Sequence, residues 1–146
     1  MRLILRLLPA WLAAFSSLAW AADPLPLGIK GYDPVAYFTM QRATPGFARF
    51  EYQWDEHTWR FASAAHRDQF KADPARYAPQ FANFCAVALA RGEVQEANPE
   101  YWLISDGKLY LFGKPYGPDL FRKDLRQNVE HARQNRELLK AQEPGR

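Results

Sequence analysis

Apolar and polar positions change period several times along this chain, and each change predicts an element. From Phe47 to Trp54 aromatic residues fall at near-alternating positions, and Thr58 to Phe61 alternates again after Asp55-Glu56-His57, so the stretch predicts a β-hairpin with one aromatic face. Tyr101 to Ser105 and Lys108 to Phe112 predict a second hairpin. The Asp106-Gly107 pair between them suits a two-residue turn whose central positions need positive φ. Near the C-terminus the period becomes helical. Phe121, Leu125, Val129 and Ala132 recur at spacings of four, four and three, and predict one long helix from Asp119 to about Lys140.

Shorter helices follow from their caps. Asp33 before Pro34 starts a helical turn that brings Tyr37 and Phe38 to the core. Ser63 caps a helix over 64–72 whose apolar positions include Ala65 and Phe70. Asp73-Pro74 opens a further turn containing Tyr77. The small apolar run around Cys85 predicts a buried helical segment from near Phe84 to Gly92, where glycine suits a helix end. Asn98-Pro99 reads as a chain break. The sum is an α+β domain: a small antiparallel sheet built from the two hairpins, packed with short helices and the long C-terminal one.

The first 21 residues stand apart. Arg2 and Arg6 precede the apolar run 7–15, and Ala19-Trp20-Ala21 fits a cleavage site, so residues 1–21 read as a Sec-type signal peptide. The run is short beside the roughly 20 residues that span a bilayer, and no stable span is expected after its removal. Residues 22–28 then form an extended lead-in, 29–141 the domain, and 142–146 a disordered tail. Charge follows this division. The chain carries 19 basic and 16 acidic side chains, and the signal segment removes Arg2 and Arg6 but no acid, leaving 17 against 16, or +1. A body so close to neutral has no electrostatic footprint for nucleic acid.

The order of motifs carries a resemblance. Gly31-Tyr32-Asp33-Pro34-Val35-Ala36-Tyr37-Phe38 resembles the opening signature of small exported bacterial proteins of the YHS-domain family. Tyr52 to Pro79 resembles the core of that domain. Phe84-Cys85-Ala86, Pro99-Glu100 and Ile104 to Leu111 resemble its downstream half, so the likeness covers about residues 28–135. Members that handle heavy metals begin one helix Phe-Cys-Ser-x-x-Cys-Arg-x-x-Phe, with two thiolates suited to soft ions. Here the matching stretch runs from Phe61 to Phe70, with Ala62 and His66 at the two cysteine positions. The resemblance therefore implies the scaffold, with the inherited thiolate pair absent.

Candidate chemistry is sparse. Cys85 is the single cysteine, so no internal disulfide forms. It reads as a small buried residue, a reactive or ligand thiol, or half of an intermolecular disulfide. Cys85 and His66, with Met40 as a further donor, are the candidate ligands for copper or another soft metal; otherwise no cofactor is expected. His57 reads as a surface-turn residue and His131 as part of a solvated helix face. No residue is assigned as catalytic, since no nucleotide-binding glycine loop, His-x-x-x-His motif or nucleophile signature is present. Tyr32, Tyr37, Phe50, Tyr52, Trp54, Trp59, Tyr101, Trp102, Tyr110 and Phe112 exceed the needs of one sheet face. Some are expected to line an apolar groove, with Tyr116 and the loop 113–115 at its rim. The function these features suggest is an exported, non-catalytic binding or accessory module of the bacterial envelope, its ligand a metal ion, a small molecule or a protein partner. The alternative is a thiol-dependent redox or metal-handling protein that uses Cys85 with His66.

Overall fold

A computed structural model describes residues 23–142. The predicted signal segment 1–21 and most of the predicted tail, residues 143–146, lie outside the described residues.

Strand β1 (Phe47–Trp54) pairs antiparallel with β2 (His57–Phe61). The turn between them is two residues long, because Asp55 and Glu56 both take left-handed backbone, with φ of 48° and 59°. His57, expected in the turn, is instead the first residue of β2 and pairs with Trp54. Strand β3 (Asn98–Ser105) pairs with β4 (Lys108–Phe112) across Asp106-Gly107, whose φ values are 50° and 68°. The predicted break at Asn98-Pro99 lies inside β3. Proline fits there because the register shifts between Asn98 and Trp102, so its missing N–H leaves no ladder position empty.

The α+β class stands as expected, but the hairpins form two separate two-stranded sheets rather than one. Connecting segments occupy the edges through which they would join. Leu27 bridges Thr58 of β2, whose N–H donates to the Pro26 carbonyl at 2.9 Å. Pro79 bridges Leu109 of β4, and the Gln80 N–H donates to the Leu109 carbonyl at 2.9 Å. Each sheet is thus capped by chain that carries no regular strand, which also protects the edge.

Helix α1 (Ala36–Thr39) follows Pro34 by two residues. Helix α2 (Ala64–Ala72) has the predicted bounds, with Ser63 Oγ accepting the His66 N–H at 3.1 Å. Phe70 is its buried residue, whereas Ala65 faces solvent. Helix α3 (Pro74–Tyr77) is capped by Asp73, and α4 (Ala86–Ala90) begins two residues later than expected, with Cys85 at its N-cap position. The predicted long helix is two helices, α5 (Gly117–Lys123) and α6 (Leu125–Gln142). They part at Asp124, whose φ of −134° and ψ of 54° are not helical. Asn128 Nδ2 donates to the Phe121 carbonyl at 3.0 Å and satisfies an acceptor that the break exposes. Helix α6 continues through Gln142, so the first residue of the predicted disordered tail is helical. No described helix is long and apolar enough to cross a membrane.

Strand β4 divides two cores. Successive side chains of a strand point to opposite faces. Leu109 and Leu111 enter a cluster with Ile29, Val35, Tyr37, Trp59, Phe61 and Phe70. Tyr110 and Phe112 enter another with Phe81, Cys85, Leu89, Phe121 and Ala132. The first core carries the N-terminal hairpin and the second carries α4 and the C-terminal helices.

Candidate functional site

His66 and Cys85 fall into these two different halves. His66 lies in the first turn of α2, over the first core. Its Nδ1 is 2.6 Å from Asp33 Oδ2, and the Asp33 side chain is fully buried. With the carboxylate as acceptor, the imidazole proton sits on Nδ1. The other oxygen, Oδ1, accepts the N–H groups of Val35 at 2.8 Å and Ala36 at 3.3 Å. Oδ2 also accepts the Ala62 N–H at 2.8 Å. Asp33 therefore caps α1, as expected, and also ties it to the start of α2. On the far side of the ring, Nε2 is 3.1 Å from Thr39 Oγ1, which is itself 3.2 Å from the Val35 carbonyl.

Positions 62 and 66 are the two that the proposed resemblance would align with a pair of cysteines. Here both converge on one carboxylate oxygen. Ala62 offers only its backbone N–H, His66 spends Nδ1 on Asp33, and the Asp33 oxygens are filled by N–H donors. This donor set does not fit a soft-metal site, and among the described residues no group of three or more His, Cys, Asp and Glu is arranged to hold an ion. The three backbone N–H bonds and the ring make Asp33 a structural anchor.

Cys85 is 4% exposed and packs in the second core. It touches a small cavity of about 50 Å³ whose other walls include Arg91, Glu93, Lys114 and Tyr116. The basic side chains at this cavity are Arg91 and Lys114. Tyr116 and Lys114, expected to rim an aromatic groove, border this cavity instead.

A larger recess runs beneath α6. Helix α6 packs on α4: Ala132 is buried, Asn135 Nδ2 donates to the Leu89 carbonyl at 2.8 Å, and the Arg136 guanidinium lies 4.6 Å above the Phe84 ring. Held on α4, the helix stands away from the turn ends of both hairpins. The space left is a trench in two parts. One, of about 470 Å³, is bounded by Trp54, His57 and Trp59 of the first hairpin, by Ala78 to Ala82, and by Val129, Arg133, Arg136 and Lys140 of α6. The other, of about 720 Å³, lies between α6 and the second hairpin turn. Both volumes are in the range of small-molecule sites. Tyr110, Val129 and Arg133 border both parts and mark where they meet.

Each wall has a sequence origin. Trp54 and Trp59 lie on opposite strands of a hairpin closed by a two-residue turn, and the Trp59 indole N–H donates to the Trp54 carbonyl at 2.9 Å. Tyr110 is 4% exposed, and its hydroxyl makes no hydrogen bond among the described residues. Burial pushes its pKa up, against an opposing effect of Arg133. The lining is mixed in charge, with Asp55 and Glu56 from the first hairpin turn and Arg133, Arg136, Glu137 and Lys140 from α6. Lys140 pairs with Glu137 at 3.3 Å and Arg133 with Glu130 at 3.6 Å, and all four side chains are more than half exposed.

Of the aromatic residues expected to line a groove, Trp54, Trp59 and Tyr110 border this trench. Sequence reading did not single out Val129, Arg133 and Arg136 as its second wall. Their spacings of four and three place them on one helix face, with Val129 in the apolar stripe and the two arginines continuing from it, and that was the available signal. Compared with protein-family models, curated proteins and solved structures, the chain shows no significant match.

Proposed function

We propose that this protein is an exported, non-catalytic binding or accessory module of the bacterial envelope, built on a YHS-type scaffold. The observation that carries the reading is the trench under α6, sized for a small molecule and walled by Trp54, Trp59 and Tyr110. The ordered motifs from Gly31 to Leu111 support the scaffold, and the basic start, apolar run and Ala19-Trp20-Ala21 support export to the periplasm. A binding role also accords with the chemistry on the page. His66 and Asp33 spend their polar atoms on the fold, and Cys85 is packed in a separate core.

Fractionation of producing cells with N-terminal sequencing tests export: the mature chain is expected to begin at Ala22, and an intact N-terminus in the cytosolic fraction overturns it. Native mass spectrometry of the protein from the envelope fraction tests the binding role. A small-molecule adduct lost on unfolding supports it. A bare mass, together with turnover that depends on Cys85, overturns it.

A further inference from the structure

The trench has chemistry more specific than an apolar groove. Three residues border both of its parts and so mark their junction: the apolar Val129, Tyr110 and Arg133. Tyr110 is the unusual one. It is 4% exposed, yet its hydroxyl has no partner among the described residues, while no fully enclosed side-chain N or O atom lacks one. The hydroxyl must therefore open onto the trench. A buried phenol without a protein acceptor is a donor waiting for one.

Arg133 adds a second donor and a charge. Its pairing with Glu130 is 3.6 Å long, and both side chains are more than half exposed, so the pair is weak and the guanidinium is free to turn. A guanidinium fork beside a hydroxyl matches the two oxygens of a carboxylate. The first part of the trench then offers Trp54 and Phe81 to an apolar body. The surrounding acids narrow the choice. Asp55, Glu56 and Glu137 line one part beside Arg136 and Lys140, and Asp106 and Glu130 line the other beside Lys108 and Arg126. With these charges close to balanced, the lining has no surplus of positive charge to hold a ligand with several negative charges, whereas Arg133 at the junction matches a single one.

Resting on the binding-module reading, we propose that the trench binds a small aromatic monocarboxylate, with the acid group held between Tyr110 and Arg133 and the ring against Trp54. The occupant is a free small molecule in the compartment that holds the protein. Tyr110→Phe removes one donor and no carbon, so the packing of the second core is kept; Arg133→Gln changes a mostly exposed side chain.

The test is a tryptophan-fluorescence titration of the protein purified from its producing cells. The probes are benzoate, benzyl alcohol and inorganic phosphate, each raised to about 10 mM, well above the range of a specific small-ligand site. Benzoate is expected to saturate. Benzyl alcohol is expected to bind at least about tenfold more weakly, and each variant to weaken benzoate about tenfold, the loss of one charge-assisted hydrogen bond. Phosphate is expected not to saturate. Unchanged circular dichroism of the variants shows that folding is not the cause. If benzyl alcohol binds as well as benzoate and the variants change nothing, the carboxylate assignment falls and the binding-module reading stands. If none of the probes saturates, the ligand class is wrong, and the native mass measurement decides the module reading separately.

Discussion

Asp33 Oδ2 and His66 Nδ1 meet at 2.6 Å, joining the turn before α1 to the first turn of α2 across 33 positions of sequence. The same carboxylate takes the N–H groups of Val35, Ala36 and Ala62. Removing it strands these donors in a place from which water is excluded. Asp33→Ala is expected to cost about 3 kcal/mol or more, and His66→Ala about 1–2 kcal/mol, because the carboxylate keeps its backbone donors in the second case. Urea unfolding of both variants and of the double variant checks this. A coupling of about 1 kcal/mol or more is expected, and additive losses would show that the pair does not act as a unit.

Alkaline stability turns on Tyr37. Its ring is fully buried, and its hydroxyl donates to the Pro99 carbonyl at 2.9 Å. Burial first, then the negative charge of Glu100, pushes its pKa far above the ordinary tyrosine range. The folded state thus favours the neutral phenol. That contribution is fully present below about pH 10, where the unfolded phenol is also neutral, and is lost as pH rises further. Stability is expected to fall by about 1.4 kcal/mol per pH unit above that point from this residue alone. Urea midpoints between about pH 9 and 11 measure the slope. Tyr37→Phe should flatten it while lowering stability at neutral pH, and an unchanged slope refutes the assignment.

Gly46 and Gly107 separate two reasons for glycine. A Cβ on Gly46 would lie 2.4 Å from the Arg60 carbonyl carbon and 2.6 Å from the Phe61 nitrogen, where β1 starts across β2. Backbone cannot move aside as a side chain does, so Gly46→Ala is expected to cost about 2–3 kcal/mol. Gly107 has φ of +68° and open space around it. Its alanine variant bears only the left-handed backbone penalty, about 1 kcal/mol. Thermal unfolding of the two variants should rank them in that order.

Asn135 holds α6 on α4. Its Nδ2 donates to the Leu89 carbonyl at 2.8 Å and lies 3.4 Å from that of Ala90, acceptors that the end of α4 leaves open. Asn135→Ala is expected to cost about 1–2 kcal/mol. Asn135→Asp should cost more, since it turns a carboxylate toward carbonyl oxygens. Hydrogen exchange should quicken in α4 and in α6 together. Faster exchange in α4 alone would mean that α6 is held by other contacts.

The local elements were legible in the sequence because their causes are local. Ser63 and Asp73 cap the helices they were expected to cap, and Asp106-Gly107 turns the second hairpin. The misreadings have local causes too. Asp55-Glu56 make a two-residue turn without glycine, so His57 was assigned to the turn. The break at Asp124 lacks proline and glycine, and the apolar stripe runs through it unaltered. Met40, a candidate donor by chemistry, lies exposed just past α1.

Sequence alone thus determined the α+β class, both hairpins, the helix caps and the absence of a thiolate pair at positions 62 and 66. Those depend on short-range periodicity, turn backbone and residue identity. Tertiary structure decided the rest. It separated the hairpins into two sheets, because Leu27 and Pro79 take their edges. It placed His66 on Asp33 and Cys85 in another core, because β4 sends alternate side chains to opposite sides. It opened the trench at Tyr110 and Arg133, because α6 rests on α4 and leaves the hairpin ends uncovered. Such contacts join residues far apart in the chain, and no local period encodes which of them will meet.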